Sequence, residues 1–174
     1  PHVRTARRDQ LRNRIVSLGP ASVFLADRLG QHPAVHAALA GRPAAIHDLA
    51  QRCGVRLIRI LDGSGRTMAS GSREGDVENT AEWLSVRTRR EIVTTDSPEG
   101  FWGIEPTARG LVVWAASPVA LLGRRRGLVV IGNPLDAKFA ADIGEATGLD
   151  IFFIMDGRVN ATTAYNIISP DHVR

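Results

Sequence analysis

The sequence predicts an α+β domain in which one antiparallel sheet carries a long N-terminal helix on one face and the middle of the chain on the other. Three observations carry this: an apolar seam through residues 3–30, a helix-plus-hairpin pattern that occurs twice, and a series of short β-branched runs between residues 101 and 131.

The seam consists of Leu11, Ile15, Leu18, Ser22, Leu25 and Leu29, spaced 4, 3, 4, 3 and 4 apart, which is one stripe of a long helix. At about 1.5 Å per residue such a helix runs roughly 40 Å, longer than a domain of this size is wide, so part of it is expected to project. Pro20, following Gly19, predicts a kink. The spacing suits a core helix and a dimerising or membrane-proximal stalk alike. His32-Pro33 ends it, residues 34–40 read as a second short helix, and residues 44–53 read as a third that Gly54 stops.

Residues 55–61 then read as a strand, Asp62-Gly63-Ser64-Gly65 as a turn and 66–70 as the returning strand. Residues 71–79 are polar and read as a surface loop. Residues 80–90 read as a short helix with Trp83, Val86 and Arg87 on its inner face. The turn-rich TTDSPEG precedes consecutive strands at 101–107, 111–117 and 128–131. Pro134 suits the first turn of a helix whose stripe is Leu135, Phe139, Ile143 and Ala146, and Gly148 suits its end. A closing hairpin spans 151–155 and 158–163 around Asp156-Gly157. GVRLIRILDGSGRTMAS and GLDIFFIMDGRVNATT thus share a design, although beyond the turn residues they match only in apolar character. About seven strands are expected, in one sheet.

Composition narrows the function. The 174 residues suffice for one domain with a sizeable core. The net charge is +4, but all cations save Lys138 are arginines, and they are scattered, which argues against a nucleic-acid-binding stripe. Arg124, Arg125 and Arg126 fall between two strands and read as a solvated hairpin tip. Cys53 is alone, so no disulfide framework or cysteine-rich metal site forms within the chain. No run reaches the roughly 20 apolar residues of a membrane span, and no signal peptide is present. The chain starts at Pro1, which predicts a piece of a longer protein whose membrane segments would lie outside it.

No catalytic signature stands out. His32 and His36 have the spacing of metal ligands on a helix, but Pro33 lies between them and no acidic third ligand is near. LDGSGRT lacks the lysine of a phosphate loop, and no serine sits in a nucleophile elbow. Neither a metal nor a cofactor is expected.

The long helix, IRILDGSGRTMAS, VVWAASPV and GLVVIGNPLDAKFAADIGEATGLDIFFIMDGRVNATT together resemble the extracytoplasmic Cache-type, PAS-like sensor domains of bacterial chemoreceptors, histidine kinases and cyclic-nucleotide signalling enzymes. The resemblance covers nearly the whole chain and rests on structural motifs. It implies a helical part at 1–42, a PAS-like sensor domain at 43–165 and a tail at 166–174. It further implies a periplasmic or otherwise extracytoplasmic, non-enzymatic ligand-binding module, anchored by membrane spans in the full-length protein and dimeric through the long helix. Ligand binding would close the cover over the sheet and move that helix against its dimer mate. A ligand-free dimerisation module of the same form, and a cytosolic PAS-like regulatory domain, are the alternatives.

Such domains bind their ligands on the sheet face away from the long helix, which by position points to residues 80–117. All three tryptophans, Trp83, Trp102 and Trp114, lie there with Arg87 and Ser117. They suit an apolar cavity with a few polar groups and equally a plain core. Arg59 stands mid-strand between Leu57 and Leu61 on one face. It could hold a ligand carboxylate bidentately, pair with a protein carboxylate, or lie in water on an edge strand. A small organic acid is the ligand class that the first option implies. The Tyr, Arg, Trp and Asp combination of the amino-acid-binding Cache subgroup is not found in the sequence.

Overall fold

A computed structural model of the chain describes residues 2–42, 45–73, 83–107, 110–155 and 158–162. Helix α1, His2–Gly30, is a single 29-residue helix that Pro20 does not end. From Ile15 onward its seam lies against the chain's own core: Ile15 and Leu18 join one apolar cluster, Leu25 and Leu29 another, and Ser22 is buried between them, while the Leu11 side chain lies outside the described residues. The opposite row faces out, with Val16 and Phe24 51% and 65% exposed and Arg28 over the Phe24 ring.

Helix α2, Pro33–Leu39, starts where proline's missing N–H is harmless, and the Nδ1 of His32 accepts the Ala34 amide at 3.1 Å. Helix α3, Ile46–Cys53, ends at Gly54 in the left-handed conformation, φ 67°.

Five strands form the main sheet: β1 (Leu57–Asp62), β2 (Thr67–Ser72), β3 (Phe101–Thr107), β4 (Gly110–Leu121) and β5 (Arg124–Pro134). Their order is β2-β1-β5-β4-β3, antiparallel throughout. β4 and β5 outrun the expected strands because their ladder continues to the Leu121–Arg124 pair. The three arginines therefore belong to β5, and the tip is Leu122-Gly123. Arg125 donates to the carbonyls of Ile92, Val93 and Thr95, closing the C-terminus of helix α4 (Val86–Thr94).

Two further expectations are corrected. Helix α4 starts at a Ser85 cap, whose Oγ accepts the Thr88 amide at 3.0 Å, so Trp83 precedes it. From that start the helical period turns Thr88 and Ile92 inward, leaving Val86 74% exposed and Arg87 in water. Helix α5, Ala137–Thr147, begins after Pro134, which still pairs with Val112 in the sheet. Asp136 caps it by accepting the Phe139 amide at 3.0 Å, and Gly148 ends it. Ala140, Ile143 and Thr147 are its buried residues, while Ala146 faces water.

The closing hairpin, β6 (Phe152–Met155) and β7 (Arg158–Thr162), is a separate two-stranded sheet and not part of the main one. It packs on α5 through Phe153 against Phe139, ring centroids 5.9 Å apart. Its Asp156-Gly157 turn lies outside the described residues, as does most of the loop expected at 71–79. Among the described residues no helix is long and apolar enough to cross a membrane.

Strand alternation gives the sheet two faces. Ile58, Ile60, Ala115, Val119, Val129 and Ile131 meet α1, α2 and α3 in an aliphatic core. Leu57, Leu61, Val112, Trp114, Leu128 and Val130 face the other way, under Trp83, Leu84 and Ile92.

Candidate functional site

On the face away from α1, Arg59 projects from β1 and is 2% exposed, a cation among aliphatic neighbours. Its guanidinium carbon lies 5.4 Å from the centroid of the Trp83 ring, a cation–π contact in which an apolar surround weakens competition from water. The indole in turn lies on β5 at Gly132, where a Cβ would come within 2.8 Å of the ring. Only glycine leaves room there. The buried Trp83 Nε1 finds no hydrogen-bond acceptor among the described residues.

Trp114 comes from β4, paired with Gly132 on one side and Gly103 on the other. Its ring leans over Gly103 and meets Phe101 edge-on at 5.7 Å. Beyond it, Glu105 is 9% exposed, accepting the Thr88 hydroxyl and, at 3.3 Å, the Ser85 amide. A carboxylate at those donors ties the N-terminus of α4 to β3, where a helix favours negative charge. This face therefore carries an arginine at one side, a glutamate at the other and two indoles between, roofed by the start of α4.

Of the residues expected to line a site, Arg59, Trp83 and Trp114 come together here. The other three stand elsewhere. Trp102 pairs with Ala115 and so points to the helix side, where its ring covers Gly19 of α1 and remains 38% exposed. Ser117 is on the same side, its hydroxyl 3.4 Å from Asp27 of α1, beside a second tie from Asn133 to Ser22 at 2.8 Å. Arg87 is on the outer side of α4. Strand parity separated Ser117 from Trp114 in advance, whereas Trp102 needed the β3–β4 register. Glu105 was visible only as an acid near the tryptophans, and its partners Ser85 and Thr88 gave no signal beyond a helix cap.

At the end of β1, outside both faces, Arg56 forks onto Asp136 at 3.0 and 2.5 Å and onto the Pro134 carbonyl at 3.2 Å. Partial burial raises the Asp136 pKa, but the Arg56 hydrogen bonds, the Phe139 amide and the Arg56 charge outweigh it, and the carboxyl titrates below its ordinary range. Among the described residues no group of histidine, cysteine and acidic side chains could hold a metal.

No protein-family model matches the sequence, and no curated protein matches it. Solved structures do match. The periplasmic domain of Vibrio cholerae LuxQ superposes with a TM-score of 0.58 at 14% identity, over 88% of this chain and 76% of that domain. The sensory domain of the Campylobacter jejuni chemoreceptor Tlp3 gives 0.55 at 10%, over 93% and 69%. The sensor domain of the V. cholerae histidine kinase DctB gives 0.50 at 12%, over 92% and 65%. The fold is that of PAS-like extracytoplasmic sensor domains. The expected α+β, Cache-like architecture is borne out, with the closing hairpin set apart from the main sheet. At these identities the likeness is one of scaffold, and in such a scaffold the Arg59 face is the one turned away from the long helix.

Proposed function

We propose that this chain is the extracytoplasmic small-molecule sensor domain of a membrane-anchored signalling protein such as a chemoreceptor, and that its Arg59 face takes a small carboxylate. The observation that carries the reading is a buried donor, Trp83 Nε1, with no acceptor among the described residues, beside the buried Arg59 guanidinium. A buried indole N–H ordinarily has an acceptor, and a carboxylate offers one while meeting the cation. The sensor-type scaffold supports it, as does Tlp3, whose sensory domain has also been solved with isoleucine bound and superposes at a TM-score of 0.52 and 10% identity. Binding there would restrain the start of α4, and the shift would pass through the sheet to α1. The domain pairs with a second copy along the exposed Val16 and Phe24 row of α1, since the heptad-like seam is spent on its own sheet.

A second reading has an observation of its own: the Trp83 and Trp114 rings cover the glycines beneath them, as in a ligand-free interaction module. Thermal-shift screening of the 174-residue chain against small mono- and dicarboxylates and amino acids separates the two. Stabilisation by one chemical class, lost in Arg59→Ala, supports sensing. Stabilisation by none, or stabilisation unchanged in Arg59→Ala, removes the carboxylate reading.

A further inference from the structure

The β1–β2 turn leans over the outer side of α4, and the space between them is a cleft of about 460 Å³. Three arginines line it: Arg66 leaves the turn, and Arg89 and Arg90 leave the helix. No carboxylate lines it among the described residues. The Nε of Arg89 is buried and has no hydrogen-bond partner among them. The acid of the turn, Asp62, spends its Oδ1 on the Ser64 amide at 2.9 Å, the Arg66 amide at 3.0 Å and the Ser64 hydroxyl at 2.6 Å, and its charge offsets part of that of Arg66 alone among the three.

Both walls are held in place. Gly65, at φ 86°, comes so near α4 that a Cβ would approach Val93 to 2.9 Å. Arg125 fixes the C-terminus of that helix, and Glu105 fixes its N-terminus. Three guanidinium groups around one space repel each other, and an anion between them relieves that repulsion. Val86 and Val93 add an apolar rim.

We propose that this cleft binds a phosphate monoester, with the phosphate on Arg66, Arg89 and Arg90 and the organic part against Val86 and Val93. The rigid donor forks of arginine match phosphate oxygens, and a dianion meets three cations better than a single carboxylate does. The site is distinct from the Arg59 face and stands or falls without it.

Phenyl phosphate is the probe, titrated into the isotope-labelled chain by NMR at fixed ionic strength, beside inorganic phosphate and benzoate. Saturable shifts at residues 64–66 and 86–94 are expected, with phenyl phosphate tighter than either control. Arg89→Met should weaken binding about tenfold or more, the loss of one charged partner. Arg66→Gln, at an exposed position, gives the same direction should Arg89→Met fail to fold. Co-sedimentation with phosphatidic-acid vesicles, abolished by Arg66→Gln, would assign the phosphate to a lipid headgroup; phenyl phosphate binding without it assigns a soluble ester. No saturable binding of phosphate in either form below about 10 mM, or binding indifferent to both arginine variants, overturns the site.

Discussion

The two faces of the same five strands differ in what they bury beside their aliphatic residues. Toward α1, α2 and α3 the sheet presents Ile58, Ile60, Ala115, Val129 and Ile131, fully buried and aliphatic, with polar ties from Ser117 to Asp27 and from Asn133 to Ser22. Away from them it presents an arginine, a glutamate and the Trp114 indole among Leu57, Leu61, Val112, Leu128 and Val130, roofed by Trp83 and a short helix that needs a cap at one end and an arginine at the other. Aliphatic packing contributes stability by removing area from water and by dense contact. A buried arginine contributes little net stability, because desolvation offsets most of its attraction to any partner. One face is built to hold the fold and the other tolerates groups that a fold alone does not require.

That contrast breaks first at its strongest side. Ile131→Ala removes a side chain 1% exposed in the aliphatic core and should cost about 2–5 kcal/mol in urea denaturation. It should leave the Trp83 environment intact by fluorescence until the fold is lost. A loss below about 1 kcal/mol would mean that the helix side is not the stabilising one.

Gly132→Ala tests the other side. A Cβ would meet the Trp83 ring at 2.8 Å, and that indole, 4% exposed, is enclosed by Leu84, Ile92 and the strand below it. Overpacking of this kind costs about 1–3 kcal/mol. The Trp83 emission should shift as the ring moves off Arg59, and an unshifted spectrum with wild-type stability would show that the indole has space to retreat.

Much of this was legible in the sequence, and the two faces differ in why. The aliphatic side announces itself by period: the seam of α1 and the alternation through residues 111–117 place their residues correctly because burial alone decides them. The starts of α4 and α5 were misplaced by a few residues, since Ser85 and Asp136 set them through side-chain caps whose geometry composition does not reveal. The closing hairpin was foreseen but its separation from the main sheet was not, because strand content says nothing about which edge a hairpin joins. On the functional face Arg59 could be singled out as a charge between two leucines, but Trp102 and Ser117 were grouped with Trp83 and Trp114 by closeness in sequence, and the β3–β4 register and strand parity put them on the other side.

Asp136→Asn calibrates what a polar joint outside both faces is worth. Asparagine keeps the helix cap and removes only the charge that Arg56 meets. With the carboxylate 36% exposed, solvent screening holds the loss to about 0.5–1 kcal/mol at pH 7. The folded pKa lies below the unfolded value near 3.8, so this contribution is fully present above the unfolded value and is lost as pH falls through the folded one. Wild type and variant should therefore converge in stability as pH falls through the folded pKa and separate at pH 7, and a gap that persists in acid would assign the effect to the cap.

The smallest effect is expected where the two faces look most alike. Gly19 under Trp102 repeats the pairing of Gly132 under Trp83, and a Cβ at Gly19 would come even closer, 2.1 Å from the ring. Distance alone would rank Gly19→Ala as the harsher change. Yet Trp102 sits on the edge strand β3 and is 38% exposed, so its indole can swing into water, and alanine gains about 1 kcal/mol over glycine inside a helix. The net change should fall within about 1 kcal/mol of zero, while acrylamide quenching of the tryptophan fluorescence rises as Trp102 is displaced. A large loss without added quenching would mean that Trp102 is as enclosed as Trp83, and the distinction between a ring that covers a helix and a ring that closes a site would then rest on Arg59 alone.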